Sequence, residues 1–287
     1  MNTQVMTKGR TYQHVPTSEL EGKARELRLL TIEELYHSQS GHPGPSLSVA
    51  DIVTDLFFDE MNWGHEPDFS KRDRFLLSKG HAAPVQYAVL AQCGYIPKEE
   101  LKTLRQMGSR LQGHPVKGFM PDYVHSTTGA LGQGLSVGLG TAKYFRQHKK
   151  PNRVYVILGD GELQEGQVWE AAMSGGNYKH NNIVGIVDRN GGQNDGFVKD
   201  TMPLDPLDKK FEAFGWNTIT IDGHDFSQIQ NALDSSREVT DKPTMIIANT
   251  DKGRLGKGKI FMNGVHSPKG VPKEDYEDAV KYLEGSK

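Results

Sequence analysis

Two polar side chains follow neighbouring apolar runs in the middle of the chain. Asp160 follows the run at residues 154–158 after one glycine, and Asn190 comes shortly after the run at residues 183–188. Ligands bind at the edge of a parallel sheet where the carboxyl ends of the strands meet, so the two side chains are expected to lie together there. A carboxylate, an amide oxygen and a nearby backbone carbonyl form a hard, oxygen-rich site suited to Mg2+ or Ca2+.

The glycines on either side of Asp160 suit this site to a phosphorylated ligand. Gly159 and Gly161 leave backbone N–H groups open to phosphate oxygens, and a helix expected after Gly161 would add the positive end of its dipole. Asp-Gly pairs also occur in ordinary turns. The combination with Asn190, one strand further along, favours a metal–diphosphate site.

Three histidines occupy similar positions, each directly after a glycine: His42, His81 and His114. His266, in the segment NGVH, resembles a fourth. An imidazole beside bare backbone can reach a ligand, donate to its oxygens and transfer protons near neutral pH. Any one of the 11 histidines taken singly is more often a surface or core residue. The spacing of the histidines does not match a zinc-ligand pattern.

Two glycine-rich segments resemble nucleotide-binding motifs without completing them. Residues 253–260 have the glycine and lysine spacing of a P-loop but end in Ile260, where Ser or Thr would bind magnesium. We interpret them as a basic loop near phosphates. Residues 132–134 lack the third glycine of a dinucleotide fingerprint and follow no convincing strand, which disfavours a nicotinamide enzyme.

Apolar periodicity indicates the elements that position these residues. The predicted helices cover residues 17–39, 48–58, 131–140, 166–173 and 228–239. The predicted strands cover residues 74–78, 154–158, 183–188, 217–221 and 244–250. Thr17 or Ser18 is expected to cap the first helix. The alternation of strands and helices predicts an α/β fold, with a mostly parallel sheet flanked by helices, and one domain over residues 1–287.

Composition narrows the class of protein. The 34 basic and 36 acidic residues give a net charge of -2, which indicates neither a nucleic-acid-binding face nor a basic membrane-binding patch. A single cysteine, Cys93, excludes an internal disulfide and a thiolate metal site. The chain has no apolar stretch typical of a signal peptide or of a membrane span. These features predict a cytoplasmic protein that binds a small molecule or another protein.

Five ordered segments resemble the N-terminal, diphosphate-binding domain of transketolase. They are SGHPG at 40–44, RDRFLLSKGHA at 72–82, GSRLQGHP at 108–115, TTGALGQG at 127–134 and GDGELQEGQVWEA at 159–171. The resemblance extends from the first helix to His266. It implies a thiamine diphosphate-binding fold of the diphosphate-binding type, with thiamine diphosphate and a divalent metal, Mg2+ or Ca2+, as cofactors.

The resemblance also implies a role for individual residues. The implied metal ligands are the side chains of Asp160 and Asn190 and the backbone carbonyl of Gly192. The other implied contacts to the cofactor are His81, Gly129, Leu131, Gly159, Gly161 and His266. The implied catalytic residues are His42, His81, His114, His266 and Glu165, the last of these through a carboxylate relay across a subunit interface.

Family members continue into a pyrimidine-binding domain, which carries the glutamate that activates the cofactor, and a C-terminal domain. This sequence stops at Lys287. The resemblance therefore implies a transketolase-type subunit that is active only with a partner chain, in an α2β2 assembly. The expected reaction transfers a two-carbon ketol unit from a ketose donor to an aldehyde acceptor. The alternatives are a 1-deoxyxylulose 5-phosphate synthase-like enzyme, a 2-oxo acid enzyme or a non-catalytic family member.

The segment after Asn190 departs from the family pattern. Family members usually carry apolar side chains at the second and fourth following positions, where this chain has Gly192 and Asn194. A glycine keeps the carbonyl ligand but loses packing against the cofactor. The departure predicts weaker cofactor binding or a pocket reshaped for an unusual substrate. In that case Gly192→Leu and Asn194→Leu would raise the affinity for the cofactor.

Overall fold

A computed structural model of the chain describes residues 5–7, 10–64, 70–266 and 270–285, with side chains from residue 13 onward in those ranges. Numbered along the chain, the described strands are β1 (Val5–Thr7), β2 (Arg10–Tyr12), β3 (Arg74–Leu77), β4 (Val154–Gly159), β5 (Ile183–Arg189), β6 (Gly192–Gln193), β7 (Gly196–Phe197), β8 (Asn217–Asp222), β9 (Thr244–Asn249), β10 (Arg254–Gly256) and β11 (Lys259–Ile260). Five of them form one sheet in the order β3-β4-β5-β9-β8, and every pairing in it is parallel.

The central strands are apolar because both faces of the sheet are covered. Along β4, Tyr155 and Ile157 pack into one apolar cluster, while Val156 and Leu158 pack into another. Alternate side chains of a strand point to opposite faces, so a strand buried on both sides carries a continuous apolar run. The predicted α/β class with a parallel sheet is confirmed.

Helices form a layer on each side of the sheet. The described helices are α1 (Thr17–Ser38), α2 (Pro43–Ser48), α3 (Ala50–Asp55), α4 (Ala83–Gln92), α5 (Gly134–Gln147), α6 (Gly166–Asn177), α7 (Val198–Thr201), α8 (Leu207–Ala213), α9 (Phe226–Glu238) and α10 (Lys273–Gly285). Helices α5, α6 and α8 bury Leu139, Val168 and Phe211 in the cluster with Val156. On the other face α1, α3, α4 and α9 contribute to the cluster that holds Tyr155.

Two predicted features near the N-terminus are wrong in detail. Pro16 occupies the N-cap position of α1 and no side-chain hydrogen bond caps this described helix, so neither Thr17 nor Ser18 is the cap. The second predicted helix begins earlier, at Pro43, and is broken at Val49. It then ends in a π-helical turn, Leu56–Glu60. Proline fits the first turn of a helix because its missing N–H would have no partner there.

Glycines shift the start of two other helices. The glycine-rich helix begins at Gly134 and not at residue 131, since Gly132 has φ +82° in the preceding turn. After Asp160 the chain makes a 3-10 turn, Gly161–Gln164, and α6 starts only at Gly166. The expected helix dipole directly behind Gly161 is therefore wrong. Residues 254–260 form a β10–β11 hairpin, which is not the strand-to-helix turn of a P-loop.

Candidate cofactor site

The tips of β4 and β5 bring Asp160 and Asn190 side by side. The two strands pair in register, with Gly159 opposite Asp188. The Asp160 carboxylate joins the two tips, because Oδ1 accepts from the Gly161 N–H at 2.9 Å and Oδ2 accepts from the Gly191 N–H at 2.7 Å. This carboxylate lies at the predicted edge of the sheet.

The Asn190 amide is held in a fixed orientation. Its Nδ2 donates to Asp188 Oδ2 at 2.6 Å, and its Oδ1 accepts from the Gly192 N–H at 3.0 Å. The side chain therefore turns its oxygen toward residue 192 and its nitrogen into the protein. The structure thus brings together Asp160, Asn190 and Gly192, the three residues of the predicted metal set.

The donors at this corner suit a hard cation that keeps other ligands. Among the described residues, no group of three His, Cys, Asp or Glu side chains is placed to hold a metal alone. A cation here would depend on one carboxylate, one amide oxygen and backbone carbonyl oxygen, with water or phosphate oxygens completing the shell, as Mg2+ prefers. The donor set fits a metal–diphosphate ligand better than a protein-only metal site.

Burial leaves the Asp160 carboxylate poorly stabilised. Burial and the neighbouring Asp188 carboxylate raise the pKa of Asp160 to about 6, although the Gly191 and Gly161 N–H groups oppose the shift. Burial also lowers the pKa of the nearby Lys252 ammonium, which attraction to Asp160 partly offsets. A bound cation would supply the positive charge that the carboxylate lacks.

Three of the four predicted histidines form one cluster. The ring centroids of His42 and His81 are 5.2 Å apart, those of His42 and His266 5.3 Å, and those of His81 and His266 5.0 Å. The Nδ1 atoms of His42 and His266 are buried and have no hydrogen-bond partner within the described part of the chain. A buried polar atom without a partner costs free energy, so each of these atoms needs a water molecule or a bound ligand as its partner.

The cluster is electrically neutral near pH 7. Burial lowers the pKa of His42 and of His266 to about 4 and that of His81 to about 2, and nearby cations add to each shift. Neutral imidazoles each offer one donor and one acceptor. An anionic ligand would raise these pKa values and allow the rings to take up protons.

The implied cofactor contacts Gly129 and Leu131 lie on a backbone segment that packs against His114. A Cβ at Gly129, where φ is +133°, would lie 2.9 Å from the His114 ring, and a Cβ at Gly80 would lie 2.7 Å from the Gly129 nitrogen. Only glycine allows this approach. The segment thus connects His114 to Gly80, the residue before His81. Leu131, two residues further on, is half-buried.

Glu165 occupies the N-cap position of α6, next to Gly132 at the end of the segment that contains Gly129. It is exposed, and its Cβ would lie 2.8 Å from a Cβ at Gly132. Glu162, one turn earlier, is buried. It accepts from the Gly132 N–H at 2.9 Å, from the Gly159 N–H at 3.1 Å and from Ser78. Glu162 therefore joins the glycine segment to the tip of β4.

A buried ion pair under the site was not predicted from the sequence. Lys79 Nζ lies 2.6 Å from Asp188 Oδ2 and also donates to the Pro45 carbonyl at 2.6 Å. Asp188 further accepts from Ser48 at 2.7 Å, from Asn190 and from Thr250. Burial opposes ionisation, but Lys79 and the hydroxyl donors hold the pKa of Asp188 below its usual value. The feature of the sequence that could have indicated this ion pair is the charged residue at the end of the otherwise apolar run at 183–188.

A cleft of about 480 Å³ borders the same strand tips. Its lining includes Asp160, Asn190 and Gly191, together with apolar side chains from the segment after β5. The apolar members are Phe197, Val198, Pro203, Leu204 and Leu207. The cleft gives a ligand access to Asp160 and Asn190 of the metal set. No described helix is long and apolar enough to cross a membrane.

The chain is similar to a known protein family, to curated relatives and to solved structures. The family model for the transketolase, thiamine diphosphate binding domain, matches residues 21–283. A 6-deoxy-6-sulfo-D-fructose transketolase subunit of Clostridium sp. (strain MSTE9) is 40% identical, over 93% of this chain and 96% of that protein. An apulose-4-phosphate transketolase subunit of Phocaeicola vulgatus is 39% identical, over 93% and 94%. Transketolase of Campylobacter jejuni has a structure that matches with a TM-score of 0.86 at 30% identity, over 94% of this chain but 43% of that one.

Proposed function

Since the chain belongs to the transketolase family and corresponds to its thiamine diphosphate binding domain, we propose that it is the diphosphate-side subunit of a two-chain transketolase. In this proposal it takes part in moving a two-carbon ketol unit from a ketose donor to an aldehyde acceptor. The observation that carries the proposal is the Asp160 carboxylate, which joins two strand tips beside the Asn190 amide oxygen.

We propose that Asp160, Asn190 and the Gly192 carbonyl hold a divalent cation against the diphosphate. Thiamine diphosphate, when bound, supplies the thiazolium carbon that forms and breaks carbon–carbon bonds. Burial and the Asp188 charge already disfavour the isolated Asp160 carboxylate, so a cation at this position gains a strong partner. The N–H groups of Gly159 and Gly161, predicted to be open to phosphate oxygens, instead donate to Glu162 and Asp160. The half-buried Lys252 ammonium is the neighbouring donor proposed for the diphosphate oxygens.

The histidines would act on oxygens of the cofactor and substrate. His81 and His266 are proposed to donate to the diphosphate, and His42 and His114 to hydroxyl and carbonyl oxygens of the sugar. Their lowered pKa values make them neutral donors before a ligand binds. As negative charge develops on a substrate oxygen, such a donor stabilises it and can pass a proton.

The rest of the active site would come from another chain. We propose that residues 1–287 form one diphosphate-binding domain and that a partner chain carries the pyrimidine-binding and C-terminal domains in an α2β2 assembly. The chain spans 43% of the Campylobacter jejuni transketolase chain, and relatives that it matches nearly end to end are named as subunits. Glu165, exposed at the start of α6, is the proposed contact in the carboxylate relay.

The names of these relatives also point to a class of donor. One is named for 6-deoxy-6-sulfofructose and the other for apulose 4-phosphate, both of which are ketoses with an anionic substituent. We propose a ketose of that kind as the donor. The uncharged ketose of the same carbon skeleton is the matched control, and equal turnover of both would contradict this choice.

Reconstitution tests the proposed function. The purified chain with Mg2+, thiamine diphosphate, a ketose and an aldehyde should give no turnover. Addition of a chain that carries a pyrimidine-binding and a C-terminal domain should yield a ketose two carbons longer than the aldehyde acceptor, measured by mass spectrometry. Turnover by the single chain would contradict the two-chain proposal. A reconstituted complex that releases CO2 from an added 2-oxo acid, but forms no new ketose from the ketose and aldehyde, would contradict the reaction.

A further inference from the structure

Two arginines between α4 and α5 differ in their partners. Arg110 is paired with a carboxylate, because its Nε and Nη2 donate to the two oxygens of Glu100 at 2.6 and 2.9 Å. Arg105 has no such pair within the described part of the chain. Its Nη1 donates to the Ser40 hydroxyl at 2.9 Å, and the residue is exposed. A guanidinium has five N–H donors and stays charged in proteins, so Arg105 keeps donors and a charge for another partner.

The Arg105 side chain lies between the segments that carry two of the histidines proposed to face the sugar. Ser40, which accepts its hydrogen bond, is two residues before His42. Gly113 directly precedes His114, and a Cβ at Gly113 would lie 2.8 Å from Arg105 Nε and 3.0 Å from its Nη2. The guanidinium therefore lies against both segments.

The charge on Arg105 acts on both histidine rings. Burial lowers the pKa of His42 to about 4 and also lowers the pKa of His114, and in each case Arg105 is the charged group that adds most to the shift. The other groups that lower the pKa of His42 are His114 and Lys252, which are bases too. A sugar held by these histidines would thus lie in a region of positive potential.

The backbone at Arg105 holds the side chain in this place. Its φ is +60°, in the left-handed region that residues other than glycine seldom adopt. The Arg105 N–H donates to the Leu111 carbonyl at 2.8 Å, which closes the loop of residues 105–111 and stabilises that conformation. Unfavourable backbone conformations persist where the surrounding structure enforces them, and they are common at ligand-binding sites.

We propose that Arg105 binds the anionic substituent of the ketose and so selects for charged donors. His42 and His114 are the residues proposed for the sugar oxygens, and a guanidinium beside both is placed for a charged group on the same molecule. Its planar fork can donate two parallel N–H bonds to a phosphate or a sulfonate. The segments that carry the family resemblance do not include Arg105. The inference rests on the proposed function and names the residue that recognises the donor's charge.

Turnover of charged and uncharged ketoses tests the inference. The reconstituted two-chain complex is assayed with fructose 6-phosphate, 6-deoxy-6-sulfofructose or fructose as the donor, and with glycolaldehyde as an uncharged acceptor. Arg105→Gln should lower kcat/KM for the anionic ketoses by about 10- to 100-fold, mainly through a higher KM, because a hydrogen bond between charged groups is lost. The value for fructose should change by less than about twofold. Arg105→Lys keeps the charge without the planar fork and should lose less.

Arg110→Gln is the matched control, since it removes a guanidinium from the same loop that already has a carboxylate partner. It should leave the ratio of kcat/KM for anionic and uncharged ketoses unchanged. Urea midpoints establish that each variant is folded.

Three results would overturn the inference. If Arg105→Gln lost nothing, or lost as much with fructose as with the anionic ketoses, Arg105 would not recognise the charge, and the proposed function would stand. A wild-type complex that used fructose as well as the anionic ketoses would overturn both the donor class and the role of Arg105. A wild-type complex without turnover of any ketose would contradict the proposed function itself. A loss with only one of the two anions would support the inference and identify the group that Arg105 binds.

Discussion

Two groups of polar side chains lie at this edge of the sheet, the Lys79–Asp188 ion pair and the histidine cluster. They differ in how many of their hydrogen-bonding atoms have a partner in the protein. The Lys79–Asp188 pair is buried, and both charges have several partners from the protein itself. In the histidine cluster, by contrast, the Nδ1 atoms of His42 and His266 are buried without a partner among the described residues.

The difference separates a structural group from a ligand-binding one. A buried ion pair with all its hydrogen bonds formed needs nothing more from outside, and the fold depends on both partners. A buried imidazole nitrogen without a partner weakens the fold until a ligand supplies one. Substitutions in the first group should therefore reduce stability, while those in the second should reduce binding.

The largest expected effect is on the ion pair. Lys79→Met leaves the Asp188 carboxylate buried with its main counter-charge removed. We expect the free energy of unfolding to fall by about 3–5 kcal/mol, measured by urea denaturation. A loss below about 1 kcal/mol would show that the Lys79–Asp188 pair is not needed for the stability of the fold.

Two variants sharpen this prediction. Lys98→Met removes a half-exposed ion pair with Glu26 and should cost less than about 1 kcal/mol. Replacing both partners, with Lys79→Met and Asp188→Leu, should recover part of the loss, since no buried charge is left unpaired.

The histidine cluster should show the opposite pattern. His266→Gln removes an imidazole whose Nδ1 has no partner in the described chain, so the free energy of unfolding should change by less than about 1 kcal/mol. Its affinity for thiamine diphosphate with Mg2+ should fall about 10- to 100-fold, through loss of a hydrogen bond to a charged group. Calorimetric titration and urea denaturation of the same preparation measure both quantities. A variant that loses stability but keeps its affinity for the cofactor would show that His266 stabilises the fold and does not bind the cofactor.

The sheet edge could be predicted from the sequence better than the interactions beneath it. The apolar runs that become β4 and β5 are continuous and buried up to their last residue, so their ends can be read from the sequence. The meeting of Asp160 with Asn190 then follows because the carboxyl ends of parallel strands share one edge of the sheet. The Lys79–Asp188 pair joins residues 109 positions apart. No local pattern encodes such a contact, which depends on how α2, the segment after β3 and β5 pack.

Helix starts were predicted less well because backbone geometry decides them. Gly132 has a positive φ that ends the turn before α5, and Pro43 starts α2 before the predicted residue 48. The surroundings of residue 192 could not be predicted for a related reason. The sequence shows a missing side chain at 192, but only the structure shows that Lys252 fills its place.

A third polar group, at the N-terminal side of the fold, should respond to pH. His14 bonds Asp59 at 2.6 Å and Asp234 at 2.8 Å. Burial alone would lower its pKa, but the two carboxylates outweigh burial and raise it above 6.5. Because the folded-state pKa is the higher one, the stabilisation is complete below the unfolded pKa and is lost as the pH rises through the folded value.

The His14→Ala variant measures this contribution. Its free energy of unfolding should lie about 2 kcal/mol below that of the wild type at pH 5.5, for loss of a hydrogen bond between charged groups, and the gap should narrow by pH 9. Urea midpoints at the two pH values give the comparison. A gap that is constant or grows with pH would show that His14 contributes by packing and not by its charge.

The smallest expected effect concerns Asn194. Its side chain is exposed and donates only to the neighbouring Asp195, at 3.3 Å, among the described residues. Asn194→Leu should therefore change the cofactor dissociation constant by less than about twofold, because surface changes seldom exceed about 0.5 kcal/mol. A large gain in affinity would support the packing explanation drawn from the sequence.

Asp160 is expected to serve the metal and cofactor and not the fold. Because the pKa of Asp160 is raised to about 6, its ionised form costs stability above that pH in the cofactor-free protein. Thermal unfolding of the wild type and of Asp160→Asn at pH 7.5, with and without Mg2+ and thiamine diphosphate, separates the two roles. We expect the ligands to raise the wild-type Tm by about 5 °C at 100 times the dissociation constant. Asp160→Asn loses the buried charge but also one of the two N–H bonds to this side chain, so we expect the cofactor-free variant to melt within about 3 °C of the wild type and to gain no such increase. An equal increase in the variant, or a cofactor-free variant that melts well below the wild type, would contradict this role.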